Sequence, residues 1–172
     1  MNTTEHNDIE NARIGYQVAS NLWVCAAGIL WSKFNALLLA NSIVIGSMIL
    51  SMTVSKCFSI FISIGMSIAG IFLCILWFLL TKRTLEGYEY WIHSTREIEE
   101  KFLTPSVKTV SRGGDFADGK EVSLNIGSKS KPMRISWFGR LLHDKVTSYA
   151  IIFIFFLMHI LILILTVTLK NG

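Results

Sequence analysis

Charge is missing from the longest stretches of this chain. Phe34–Val54 (FNALLLANSIVIGSMILSMTV) and Cys57–Leu80 (CFSIFISIGMSIAGIFLCILWFLL) hold no Asp, Glu, Lys or Arg, and only Ser55 and Lys56 lie between them. Soluble core helices of that length need a charged face toward water, so the absence excludes them. Each run can cross about 30 Å of hydrocarbon at a rise of about 1.5 Å per residue. The pair reads as a transmembrane helical hairpin.

Cysteine is scarce too. Cys25, Cys57 and Cys74 are too far apart for a CxxC site, and read as small membrane-buried hydrophobes. Catalytic patterns are absent. His6, His93 and His143 stand at no metal-ligand spacing with cysteines or carboxylates, and no GxSxG, Walker sequence or Gly-rich dinucleotide turn occurs. The expectation is a protein that is not an enzyme and carries no cofactor or metal. A cleaved leader is not expected, because the first 33 residues open on an acidic, polar patch without a short apolar region behind a basic start.

A third apolar run, Tyr149–Leu169, carries one titratable side chain at depth, His159. The predicted architecture is an all-α membrane protein. It comprises an N-terminal amphipathic helix (residues 1–33), a hairpin of two spans (34–54 and 57–80), a cytoplasmic region (81–148) and a third span (149–169). Of sixteen Lys and Arg, only Lys56 and Lys170 fall on one side of such a chain, leaving fourteen on the other. Positive charge stays inside, so the N-terminus and the 81–148 region are expected in the cytoplasm and the C-terminus outside. All five tryptophans agree, since Trp23, Trp31, Trp77, Trp91 and Trp137 lie near or beyond the cytoplasmic ends of the spans.

Within residues 5–33, Ile9, Ala12, Tyr16, Ala19, Trp23, Ala26 and Leu30 recur at alternating spacings of three and four. Such a stripe suits either an interfacial helix lying in the headgroups or a seam with a partner helix. Beyond Lys82 and Arg83 the second helix is expected to run on into the cytoplasm and stop at Thr104-Pro105. There Trp91, Thr95, Ile98 and Phe102 share a face, with Glu97, Glu99, Glu100 and Lys101 over the rest. The β-prone runs SVKTVS and KEVSLNI around GGDFADG are compatible with a small β-hairpin. GSKSKP reads as a loop, and residues 135–146 as an amphipathic interfacial helix.

Two sets of residues are candidates for function. Asn35, Ser42, Gly46 and Thr53 fall on one face of the first span, and Ser148, His159 and Thr166 on one face of the third. As pore-lining candidates we take Asn35, Ser42, Gly46, Thr53, His159 and Thr166. Ser59, Ser63 and Ser67 form a small-xxx-small ridge that suits helix packing, with a water-facing lining as the other reading. For His159 a hydrogen bond to Asn or Ser of another span stands beside the gate reading. The second set is basic. Thr104–His143 carries seven Lys and Arg against three acidic residues. Lys108, Arg112, Lys129, Lys131, Arg134 and Arg140 could meet lipid headgroups or a polyanion such as a nucleotide or oligonucleotide. Between Lys108 and Arg134 only Phe116 offers base stacking, so sequence-specific readout is not expected.

Three short spans cannot enclose a water path alone, and symmetric association is the usual remedy, so a homo-oligomer in the bilayer is expected. This layout resembles small bacterial anti-phage transmembrane effectors of the Hailong and CBASS types. The resemblance covers the arrangement of the whole chain and no diagnostic motif. It implies an oligomeric inner-membrane channel opened by a nucleotide signal from a partner nucleotidyltransferase. The reading from another class is a non-conducting membrane scaffold that recruits a cytoplasmic partner through residues 5–33 and 85–103.

Overall fold

A computed structural model describes residues 3–51, 56–104, 107–126, 129–141 and 144–171. The elements in order are α1 (Thr3–Ser51), α2 (Lys56–Ile98), a π-helical turn (Glu99–Leu103), α3 (Thr109–Ala117), β1 (Val122–Ile126), β2 (Lys129–Met133), α4 (Trp137–Leu141) and α5 (Asp144–Asn171). Three of these helices are long and apolar enough to cross a membrane. In lipid the backbone must satisfy its own polar groups, and uninterrupted helices do so. The first proline of the chain is Pro105. Thr104 ahead of it is extended, with φ −73° and ψ 138°, the conformation favoured before proline.

The chain forms two compact units, Met1–Gly28 with Glu86–His143 and Ile29–Leu85 with Asp144–Gly172. The second is the three-helix membrane unit. Its centre is a layer of Phe34, Trp77 and Ile152, with Leu37, Leu38, Tyr149, Ile151 and Phe155 packed around it. The Phe34 and Trp77 rings lie 4.9 Å apart, and those of Trp77 and Phe155 5.9 Å apart. Buried positions repeat by sevens: Phe34, Asn41 and Met48 on α1, Ser63, Gly70 and Trp77 on α2, Ile152, His159 and Thr166 on α5. A seven-residue repeat is the knobs-into-holes period of left-handed helix packing.

In the first unit the N-terminal part of α1 pairs with the extension of α2. Ala12 and Ala19 are buried, and alanine at alternate contacts lets the two backbones approach. The Trp23 and Tyr88 rings lie 6.2 Å apart, and the Tyr16 hydroxyl reaches Glu99 Oε1 at 3.5 Å. The predicted stripe is thus a seam with the chain's own second helix.

Three local expectations need correction. The segment Thr109–Ser111 opens α3 rather than a strand, because the Glu99 carboxylate receives its free N–H groups. The hairpin exists, but KSKP of the expected GSKSKP loop belongs to its second strand, Lys129–Met133. β1 and β2 pair antiparallel with Val122 opposite Met133 and Leu124 opposite Lys131. Residues 135–146 divide between α4 and the first turn of α5. Ser136 accepts the Gly139 N–H at 3.3 Å, an N-cap bond that starts α4 after Ile135.

Candidate functional site

Mid-membrane polar groups converge inside the three-helix unit. The Asn41 amide donates from Nδ2 to the Leu37 carbonyl at 2.9 Å, which leaves Oδ1 as an acceptor. Cys74 Sγ donates to that oxygen at 3.3 Å, and His159 Nε2 lies 3.2 Å from it. An amide oxygen only accepts, so Nε2 is the donor in this contact, and Nδ1 has no partner among the described residues. Interhelical hydrogen bonds of this kind contribute about 0.6 to 2 kcal/mol each in a membrane. The His159 ring rests on Gly70, where a Cβ would fall 2.2 Å from its Cε1. Asn41, Met48, Ser67, Trp77 and His159 have no solvent exposure.

Toward the far end of the unit, Ser51 donates to the Met48 carbonyl at 2.8 Å and its hydroxyl lies 3.4 Å from that of Ser63. Ser67 donates to Met48 Sδ at 3.4 Å. Thr166 is buried and donates back to the Ile162 carbonyl at 2.8 Å. His159 and Thr166 thus sit in the interior with Ser63 and Ser67, joining α1, α2 and α5.

The other candidates on α1 stand on a different face, about 100° around the helix from Phe34 and Asn41. Asn35, Ser42 and Gly46 lie away from this interior: Asn35 and Ser42 are exposed, and a Cβ added at Gly46 would meet nothing within 4 Å. Ser42 donates to the Leu38 carbonyl at 2.9 Å, so its hydroxyl is satisfied while its oxygen can still accept. Thr53 and the side chain of Ser59 lie outside the described part.

In the first unit the governing group is Glu99, fully buried at the start of the π-helical turn. Its Oε1 accepts the Val110 N–H at 3.0 Å, and Oε2 accepts the Ser111 N–H at 2.7 Å and the Ser111 hydroxyl at 2.6 Å. A carboxylate at a helix N-terminus meets unpaired N–H groups and the positive end of the helix dipole. Burial alone would raise its pKa. The Ser111 hydroxyl and the N–H groups of Ser111, Val110 and Thr109 prevail, holding it below the ordinary value. Burial and then the adjacent Glu99 charge push the Tyr16 phenol upward. Gly114 closes this joint, since a Cβ there would collide with the Arg96 guanidinium.

The basic candidates are spread over three elements and their flanks. Lys108 and Arg112 flank the start of α3, and Lys129 and Lys131 alternate along β2 on one face of the ribbon. Arg134 donates from Nε to the Gly119 carbonyl at 3.0 Å, and the Arg140 side chain lies against the same glycine. Gly119 thus brings Arg134 and Arg140 together, while Lys108, Arg112, Lys129 and Lys131 stand on other elements. Among the described residues no group of three or more His, Cys, Asp and Glu could hold a metal ion.

Two central residues are not found by the sequence reading. Asn41 lies off the polar face predicted for the first span, and Glu99 falls in a run that reads as a solvated acidic surface. The signal for both is the spacing of their neighbours. Asn41 stands midway between Phe34 and Met48 in the repeat of seven. On the α2 extension Leu85, Tyr88, Ile92, Thr95 and Glu99 keep spacings of three and four.

Residues 16–169 match the model of the octameric membrane protein family, 8xMP. No curated protein and no solved structure matches the chain.

Proposed function

The chain belongs to the octameric membrane protein family, and from that premise we propose that it is an oligomeric ion channel of the bacterial inner membrane. It is opened by a nucleotide-type anion and acts in anti-phage defence. The carrying observation is the line of Asn35, Ser42 and Gly46 facing away from a three-helix unit whose own interior is filled. Hydrocarbon offers polar groups nothing, whereas eight copies around an axis would turn that line into the wall of a water path. In this reading the ions pass between protomers, lined by α1, and His159 and Thr166 hold each protomer together. The N-terminus lies inside and the C-terminus outside, as the placement of Lys and Arg requires.

The ligand site is the basic surface of the first unit, fed by a partner nucleotidyltransferase. Lys129 and Lys131 on β2, with the Arg134 and Arg140 side chains beside Gly119, offer cations and loop amides to phosphate oxygens. The test is conductance of the purified protein in lipid bilayers, with and without candidate nucleotides. Replacing Lys129, Lys131 and Arg134 together by alanine is expected to raise the activating concentration at least tenfold. Membrane insertion should not change, and wild-type activation should weaken steeply with salt. Unchanged activation would return these residues to a lipid-contact role. An octamer that conducts under no nucleotide condition would support the non-conducting scaffold instead.

A further inference from the structure

Within the first unit α1 carries two apolar faces. One, built on Ala12 and Ala19, is buried against α2. The other is Ile14, Val18, Leu22 and Cys25, spaced by four, four and three. Ile14, Val18 and Leu22 are 54%, 51% and 38% exposed, and Cys25 is an exposed free thiol. At about 100° per residue these four fall within an arc of roughly 80°, centred roughly 110° around the helix from the buried face. Among the described residues no element of the unit covers them.

The stripe lies within Ile14–Ser32, a stretch without Asp, Glu, Lys or Arg that is bounded by the exposed Arg13 and Lys33 and carries the exposed amides of Gln17 and Asn21, while Asp8 and Glu10 on the preceding turns are exposed as well. Glu10 and Arg13 even pair with each other at 3.8 Å in solvent. An exposed apolar face bordered by exposed charges and amides calls for a partner, and membership of an octameric family supplies one. The same register continues along the sequence of α1. Counting by sevens from Leu22 gives Ile29, Ala36, Ile43 and Leu50, all exposed. Asn35 and Ser42 stand one residue before Ala36 and Ile43, so the polar line keeps step with the apolar repeat.

We infer that Ile14, Val18, Leu22 and Cys25 form the seam by which one copy of this chain docks on the next. The inference rests on the oligomeric reading above for the presence of a second copy, and adds the surface that binds it. A seven-residue apolar repeat is the pattern by which helices of neighbouring protomers interlock.

The experiment uses the full chain in lipid nanodiscs, with native mass spectrometry and size exclusion as readouts. Val18→Arg is expected to lower the octamer fraction at least tenfold, since a half-exposed position accepts an arginine in the free protomer. Gln17→Arg, an exposed neighbour pointing about 100° away, should leave the octamer intact. As an independent reading, Cys25 in the wild type should react with a water-soluble maleimide at least tenfold more slowly in nanodiscs than in a dissociating detergent, measured by peptide mapping. Full assembly of Val18→Arg, equal loss in both variants, or equal Cys25 rates would each overturn the seam while leaving the oligomer standing. A wild-type protein that is monomeric in lipid would remove the oligomeric reading and the seam together.

Discussion

Gly70→Leu is expected to disrupt the protomer, whereas Gly46→Leu should leave it folded. At Gly70 even a methyl group would meet the His159 ring at 2.2 Å, while at Gly46 nothing lies within 4 Å. The ring is held between Gly70 and Asn41 and cannot swing away without losing its bond at 3.2 Å. Overpacking usually costs about 1 to 3 kcal/mol and more against rigid neighbours, so about 3 kcal/mol or more is expected for Gly70→Leu. His159→Ala alone should cost about 1 to 3 kcal/mol, from the lost bond and the cavity. Together with Gly70→Leu it should relieve the collision, so the pair is less unstable than the sum of the two. Denaturant titration of the purified protein in mild detergent measures all four. Equal damage from Gly46→Leu and Gly70→Leu would contradict the assignment of interior and exterior faces.

Glu99→Ala is the second large effect. Removing a buried charge that receives four donors strands those donors and uncaps α3, a loss on the order of 3 to 5 kcal/mol. Hydrogen exchange should show the Val110 and Ser111 amides losing protection first, with the spans unaffected. The pH dependence has a definite sign. The Glu99 carboxyl is held below its ordinary value of 4.5, so its contribution is fully present above that value. It is lost as pH falls from there through the lowered folded value. Glu99→Ala should abolish that acid sensitivity of α3. Wild-type protection at Val110 and Ser111 that is unchanged down to strongly acidic pH would contradict the role assigned to the carboxylate.

The spans are legible in the sequence because hydrocarbon imposes its demand locally: a long apolar run without charge must be a helix. The N-terminal stripe is legible by its period, and Ala12 and Ala19 lie on the buried face that the period predicts. The features the sequence conceals depend on contacts between distant segments. Thr109–Ala117 holds two adjacent glycines and β-branched residues, a poor helix by propensity, and Glu99 settles its start from outside. A regular helix would place Phe102 on one face with Thr95. The π-helical turn at Glu99–Leu103 widens the turn and rotates its side chains, and Phe102 is 52% exposed while Thr95 is buried. A histidine at the depth of His159 is costly by sequence alone, but only packing reveals that Asn41 receives it.

The claim that ions pass along α1, outside each protomer's filled interior, is tested most directly by single-channel recording of Ser42→Cys. The background carries Cys25→Ala and Cys57→Ala, and Cys74 is buried. Ser42 is exposed, and at its depth a water-soluble thiol reagent can reach it only through a wet lumen. Current is expected to fall at least tenfold on modification, with Asn35→Cys behaving alike and the parent background unaffected. Conducting octamers whose current survives the reagent in both variants would contradict a path along this face.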